Sequence, residues 1–393
     1  MYDPFGPDVM EDPFPAYAEL RATCPVHRRT EAPPFVTLTR HTDVIDAVRD
    51  VATFSSRGGQ GPLPSDVIAL FDDPPSHTFF RRLVNKAFTP RSVQVRQPMI
   101  EELVDELVEA MARTPGRRAD LHDALAMPLP MIVIARMLGV AEELGPTFKR
   151  WSDAQVAGLG DRNHDEQRRA RREMNEYFLA EIARRRAALA AGEPLSDDLV
   201  SSLVAASQQE ERPITDDELL SLLVQLLVGG NETTTSLVTN LVWRLLQDRS
   251  LWEAVVADRS LVEVAVEESL RFDPPVLGLF RTTACPVQVA GEELAAGEKV
   301  QLLWASANRD AAIWEDPDRF RLDRDVATLR SRHLSFGFGL HVCPGAPLSR
   351  LEARLALEAL VRRLPDLRLD PDGSTERIEP FLLWGRRRLD VAW

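Results

Sequence analysis

The sequence predicts a mainly α-helical fold with a small β portion, and three observations predict it. Over most of the 393 residues, apolar side chains recur at helical spacing or strong helix formers predominate. Runs with β character are few and short. No internal repeat and no low-complexity linker divides the chain, so residues 1–393 read as a single domain despite their number.

In chain order, helices are expected at 13–23, 42–50, 76–88, 98–113, 120–138, 144–158, 164–191, 196–207, 215–247, 251–257, 260–271 and 345–364. Two carry start signals. Thr215 stands three residues before Glu218 in a capping-box pattern, and Asp72–Pro75 precede the 76–88 helix. Strands are expected at 35–39, 286–290, 299–303 and 380–393, with GEELAAGEK (291–299) as a turn. Segments 54–75 and 305–342 are rich in Gly, Pro, Asp and Arg and read as loops.

Hydrophobic residues make up 44% of the chain, ample for a core, while 27% charged residues and a mean hydropathy of −0.19 indicate a soluble protein. A formal net charge of −14 argues against nucleic acid as the principal partner. The N-terminus, MYDPFGPDVMEDPFPAYAEL, is acidic and proline-rich, unlike a signal peptide, and no apolar run is long enough to span a bilayer. Cys24, Cys285 and Cys343 are odd in number and far apart, which excludes a disulfide framework. Arg far outnumbers Lys and Ala is abundant, as in high-GC bacterial coding sequences. Together these features give a cytoplasmic reading.

Cys343 sits in SFGFGLHVCPGAP, residues 335–347. A structural cysteine, a zinc ligand and a protease nucleophile are the rival readings. Zinc needs further ligands at short spacing, and only His341 is near. The glycines make no dinucleotide fingerprint, since Val342 stands where the last glycine belongs. The stretch resembles the haem-ligand loop of cytochromes P450, Phe-Gly-x-Gly-x-His-x-Cys-x-Gly, with Phe336, Gly337, Gly339, His341, Cys343 and Gly345 at the six fixed positions. The resemblance implies a triangular helical prism, with haem b (iron protoporphyrin IX) between the long central helix and the helix after the cysteine loop. Cys343 would be the axial thiolate and the one metal ligand. Gly337 and Gly339 then suit a tight turn with positive φ, and Gly345 lets the backbone approach a flat macrocycle. A helix N-terminus after Cys343 would favour thiolate. Pro344 and Pro347 depart from the commoner pattern, and Pro344 removes one amide that could bond the sulfur.

Three further stretches have ordinary readings that the resemblance sharpens. In EESLR (267–271), Glu268 and Arg271 are an i,i+3 pair, worth a few tenths of a kcal/mol at a surface. The resemblance makes them structural, coupled to Arg319 in Pro317–Phe320. In LLVGGNETTTS (226–236), two glycines interrupt an apolar helix; a kinked core helix with hydroxyls bonded to its own carbonyls would explain them. The resemblance, through Gly229, Gly230, Asn231, Glu232 and Thr233, implies oxygen activation instead. Thr233 would hydrogen-bond the bound dioxygen and Glu232 would relay protons from solvent. In DDPPSHTFFRRLVNKAF (72–88), His77 and Arg81 share a helix face. By resemblance they bind a haem propionate, with Arg281 and His341 at the other propionate positions.

Family members contact substrate through segments that here offer Leu63, Val67, Ile68, Leu226, Gly229, Val276, Leu277, Leu279, Phe381 and Leu382. They are apolar, so a hydrophobic small molecule is expected, although each could equally be core. Residues 74–100 contain no acid but include Arg81, Arg82, Lys86, Arg91 and Arg96, and residues 326–351 contain no acid but include Arg330, Arg332 and Arg350. In the resembling fold both border the thiolate side of the haem. They are expected to dock an acidic electron donor, a ferredoxin or flavodoxin served by its reductase. The expected protein is a monomeric O2-dependent monooxygenase that hydroxylates or epoxidises its substrate. Two alternatives stay open: a haem-thiolate peroxygenase fed by H2O2, and a non-catalytic haem or ligand-binding protein.

Overall fold

A computed structural model describes residues 2–65, 68–140, 144–157, 164–209, 212–379 and 381–393. The chain begins with α1 (Pro7–Glu11), α2 (Phe14–Thr23), β1 (Val26–Arg29), β2 (Phe35–Leu38), α3 (His41–Arg49) and β3 (Phe54–Ser55). Helices α4 (Ser76–Asn85) and α5 (Pro90–Ala112) follow, then β4 (Arg118–Asp120), a π-helical turn at His122–Ala126, and α6 (Pro128–Leu138). Next come α7 (Gly145–Ala157), α8 (His164–Ala190), α9 (Leu199–Gln209) and α10 (Asp216–Gln247). The last third holds α11 (Arg249–Ala257), α12 (Leu261–Phe272), β5 (Leu279–Thr283), β6 (Val287–Val289), β7 (Glu292–Leu294) and β8 (Lys299–Leu302). It ends with α13 (Trp304–Ala307), α14 (Val326–Arg332), α15 (Ala346–Arg363), β9 (Arg368–Leu369) and β10 (Asp390–Ala392).

The long helix α10 is the axis of the molecule. Its start is closed by the expected capping box: Glu218 N donates to Thr215 Oγ1 at 3.2 Å, and Thr215 N donates to Glu218 Oε2 at 3.0 Å. Packed around α10 are α6, α7, α8, α12 and α15, and α15 lies in turn against α5. Their buried side chains form the largest apolar cluster, which includes Phe80, Ile100, Leu129, Phe178, Leu223, Leu241, Trp252 and Leu360. Beside the helices a five-stranded sheet runs β1-β2-β8-β5-β3, parallel only between β2 and β8. A second sheet runs β4-β10-β9, and β6 with β7 forms a hairpin. No helix among the described residues is long and apolar enough to cross a membrane.

The differences from expectation have local causes. Helix α5 begins at Pro90, well before 98, because Thr89 caps Ser92 N at 3.1 Å and Pro90 suits the first turn; Pro98 is carried inside. The 120–138 segment is three elements, since β4 pairs with β10 and the π-helical turn intervenes before Pro128. Helix α14 was not expected; Asp325 caps it, accepting from Thr328 N at 2.7 Å. No side chain caps α4: Asp72 instead takes Arg57 Nε at 3.0 Å. Within 380–393 only Asp390–Ala392 is a strand. There the backbone at Gly385 presses on α10, where a Cβ would lie 2.3 Å from Ser236 Oγ.

Candidate active site

The Cys343 loop is built by backbone turns. Gly337 N donates to Leu334 O at 2.8 Å, Cys343 N donates to Phe336 O at 2.8 Å, and Gly337 and Gly339 take φ of 70° and 66°, the left-handed values expected of them. Gly345 is the N-cap of α15, Pro344 precedes the helix and Pro347 occupies its first turn. A Cβ at Gly345 would stand 3.8 Å from Cys343 Sγ. Burial raises the Cys343 thiol above its ordinary value; the amides of Gly345 and Ala346 and the charges of Arg81 and Arg350 oppose it. A buried sulfur so surrounded is ready to become thiolate when a cation binds it.

Four cationic or donor side chains from three elements gather beside this loop. His77 and Arg81 lie on α4, Arg281 on β5, and His341 in the 3-10 turn Gly339–His341. The rings of His77 and His341 are 4.2 Å apart. Both nitrogens of His77 are buried without a partner. Arg281 is 4% exposed, donates to its neighbour's carbonyl, Phe280 O, at 3.1 Å, and is lowered to about 10 by burial. His341 is pushed down to about 4 by burial first, then by Arg281 and His77. Asp73 faces the group, with Asp72 also near His77, and Ser55 Oγ and Ser56 N already donate to Asp73. Such a set is costly to bury alone and suits a ligand bearing carboxylates. Lys299, which sequence reading missed, adds a fifth cation: it donates to Gly58 O and Gly59 O, and burial, then Arg281, lowers it to about 8.

On α10, a Cβ at Gly229 would meet nothing within 4 Å, so the helix has an open notch there. Thr233 Oγ1 donates to Gly229 O at 2.8 Å, the back-bonding of the ordinary helix reading. Burial, then Asp153, raises the Glu232 carboxyl above its usual range. Thr234 Oγ1 donates to Ser349 Oγ at 3.1 Å, joining α10 to α15 just beyond the cysteine loop.

The family model for cytochrome P450 matches residues 156–392. Over 398 aligned residues the chain is 40% identical to the cytochrome P450 monooxygenase PikC of Streptomyces venezuelae, covering 99% of this chain and 92% of that protein. The chain belongs to the cytochrome P450 family. A steroid C26-monooxygenase of Mycolicibacterium smegmatis is 38% identical, over 91% of this chain and 86% of that one. The crystal structure of CYP109E1 from Bacillus megaterium in complex with testosterone matches with a TM-score of 0.88 and 33% identity, covering 98% of each chain. This P450 is a haem-thiolate monooxygenase, with O2, redox partners and a hydrophobic substrate as the family's reactants. The cysteine, the acid-poor cationic set and the unpartnered His77 fit the haem of the family.

The Glu268–Arg271 pair of this P450 is fully buried and bidentate, with Arg271 Nη2 to Oε1 at 2.7 Å and Nε to Oε2 at 2.8 Å. Arg319 requires correction. The carbonyls of Pro317 and Arg319 wrap Arg271, at 2.8 and 3.1 Å, which turns the Arg319 side chain outward to 76% exposure. Arg324 supplies the second guanidinium instead, 3.2 Å from Glu268 Oε1.

The apolar residues of the expected pocket separate. Leu63 and Ile68 are exposed, at 64% and 39%, and Val67 lies outside the described residues. Val276 is partly buried and packs with Val228, Ile378 and Leu383 beside α10; Leu279 is partly buried against the five-stranded sheet. Four others are buried in apolar clusters. Leu226 belongs to the main cluster, Leu277 packs with Phe14 and Trp384, and Phe381 and Leu382 pack with Phe35 and Phe280.

The second basic stretch is free of acid in sequence but not in space. Arg330 Nε and Arg350 Nε both donate to Glu267 Oε1, at 2.9 and 2.7 Å, and Arg330 also meets Glu263 at 2.7 Å. His333 Nε2 completes the junction, 3.0 Å from Glu267 Oε2.

Proposed function

We propose that this P450 works as one domain over residues 1–393, a cytoplasmic monomer carrying haem b, and that it hydroxylates or epoxidises a hydrophobic molecule of steroid size. The observation that carries the residue assignments is the pairing of Cys343 with a cationic set whose buried His77 nitrogens have no hydrogen-bond partner among the described residues. Thiolate-ligated haem supplies the activation of dioxygen. Everything else falls to this chain. Cys343 binds the iron, its sulfur steadied by the Gly345 and Ala346 amides. His77, Arg81, Arg281 and His341 hold the haem carboxylates, and Phe336, Gly337 and Gly345 shape the loop against its face. Glu232 holds a proton above the usual carboxylate range, and Thr233 turns its hydroxyl from Gly229 O toward the reacting oxygen.

The substrate class draws on a relative named a steroid C26-monooxygenase and a neighbour solved with testosterone. The open notch at Gly229 and the apolar Val276 suit such a skeleton. Electrons come from a ferredoxin or flavodoxin-type donor with its reductase. The test is twofold. The dithionite-reduced protein with carbon monoxide should give the strongly red-shifted Soret band of thiolate ligation. Thr233→Ala should then leave that band intact while product per NADH falls severalfold. Product per NADH unaffected by the change would remove Thr233 from its role.

A further inference from the structure

The π-helical turn His122–Ala126 lies where β4 ends and packs against α10. Met127 N donates to His122 O at 2.9 Å, the wide bond that defines the turn. Asp120 Oδ1 anchors its entry, accepting from His122 N and from Leu389 N, each at 2.9 Å. So held, His122 is 6% exposed while the Asp123 side chain is 69% exposed. Asp123 Oδ1 lies 2.7 Å from His122 Nδ1, and a carboxylate only accepts, so Nδ1 carries the hydrogen. The carboxylates of Asp120 and Asp123 and the His122 ring present atoms within 4.8 Å of one another. Asp120 is occupied by two backbone amides, which leaves His122 and Asp123 as the pair free to handle a proton.

Glu232 on α10 feels the ring of this pair. The charged groups around its carboxyl come from the π-helical turn, as His122, and from α7, as Lys149 and Asp153. Helix α7 also packs on α10. Lys149 Nζ and Asp153 Oδ2 are joined at 2.6 Å and offset one another. Arg388, which faces Asp120 and Asp123, is held by Asp390. His122 is therefore the member of the group whose two ring nitrogens let it accept a proton at one atom while donating from the other. Neither Glu232 nor His122 Nε2 has a hydrogen-bond partner among the described residues, so both are open to water.

We propose that His122, positioned by Asp123, is the solvent end of a proton route that runs through Glu232 to Thr233. This rests on the role proposed above for Glu232 and Thr233. The imidazole takes a proton from hydronium at Nε2 while Asp123 holds the Nδ1–H. That new N–H bond then breaks as its proton passes to a water between the two side chains, and the same water gives one of its own protons to the Glu232 carboxylate. Imidazole returns to its neutral form, and no electron moves. The π-helical turn is what brings a buried ring and an exposed carboxylate, adjacent in sequence, to opposite ends of one hydrogen bond.

The test uses the haem-loaded protein and three variants, His122→Phe, Asp123→Asn and Glu232→Gln, each first checked for an intact carbon monoxide band. Infrared titration follows the carboxyl band that Glu232→Gln abolishes. In His122→Phe that band should titrate at higher pH, because the neighbouring ring that favours the ionised form of Glu232 is gone. Turnover is measured with the steroid, from a panel including testosterone, that gives the largest spin-state shift, using a ferredoxin and its NADH-dependent reductase. Product per NADH should fall about three- to tenfold in His122→Phe, with a larger solvent deuterium isotope effect, and less in the surface variant Asp123→Asn. The proposal is overturned if Glu232→Gln uncouples turnover while His122→Phe and Asp123→Asn match the parent in all three readouts. Unchanged coupling in Glu232→Gln itself would instead overturn the role of Glu232, and the route with it.

Discussion

Arg324 Nε lies 3.2 Å from Glu268 Oε1, on a carboxylate that already binds Arg271 through both oxygens. Arg324 is 9% exposed at its side chain and Glu268 is fully buried, so little water can replace a lost partner. Arg324→Ala is expected to lower stability by about 1–3 kcal/mol. Arg319→Ala, at an exposed side chain, should stay within about 0.5 kcal/mol. Urea unfolding of the haem-loaded variants decides the matter, and equal losses would return Arg319 to the triad.

The haem cradle makes a prediction about release. Arg281→Leu removes a buried guanidinium that bonds only a neighbouring carbonyl among the described residues, and His77→Phe removes two unpartnered nitrogens. If both hold carboxylates, Arg281→Leu should speed haem transfer to excess apomyoglobin about tenfold or more, and His77→Phe should do so to a smaller degree. Release at the parent rate from both would mean that the carboxylates lie elsewhere.

Glu267 governs acid stability. Burial would raise its carboxyl, but hydrogen bonds from His333 and Arg350 outweigh burial and hold it at about 2. The folded value is below the unfolded one, so the stabilisation is complete above the unfolded value and is lost as pH falls toward about 2. Glu267→Gln should flatten the acid limb of the stability curve and cost about 3 kcal/mol at neutral pH. An acid limb of parental slope in the variant would show that other carboxylates control it.

Glu352 works in the opposite sense. It lies on α15 and is pushed up to about 8 by burial, with no ion pair among the described residues. It keeps its proton when folded and loses it when unfolded, so stability falls as pH climbs from the ordinary carboxylate range to about 8. Glu352→Gln should therefore stabilise at pH 8 and change little at pH 5. Thermal melts at the two values test this, and a gain of equal size at both would point to packing.

Local chemistry made much of this legible. The Cys343 loop could be read because its glycines are required by backbone geometry and its residues are contiguous. The capping box at Thr215 and the span of α10 followed for the same reason. Arg324 could not be read, because which arginine enters a buried site depends on how Pro317–Arg319 wraps Arg271. Lys299 and His122 were equally silent, as each acquires its surroundings from segments far along the chain. The pocket could not be read residue by residue, because an apolar side chain gives the same signal in a wall or a core, as the buried Leu277 and Phe381 do. The second acid-free stretch hid its partner because Glu267 reaches Arg330 and Arg350 from another helix.

The pairing of β2 with β8 carries a consequence for biosynthesis. Thr37 Oγ1 bonds Gln301 Oε1 across 264 residues of chain. All four residues of β2 are buried in the finished sheet. A ribosome adding about 5–20 residues per second leaves that strand waiting roughly 10–50 s for its partner to be made. During that interval the edge of Phe35–Leu38 that faces away from β1 stays open and aggregation-prone. Slower elongation or scarce chaperones should therefore cost yield in recombinant hosts even when every residue of the catalytic centre is intact.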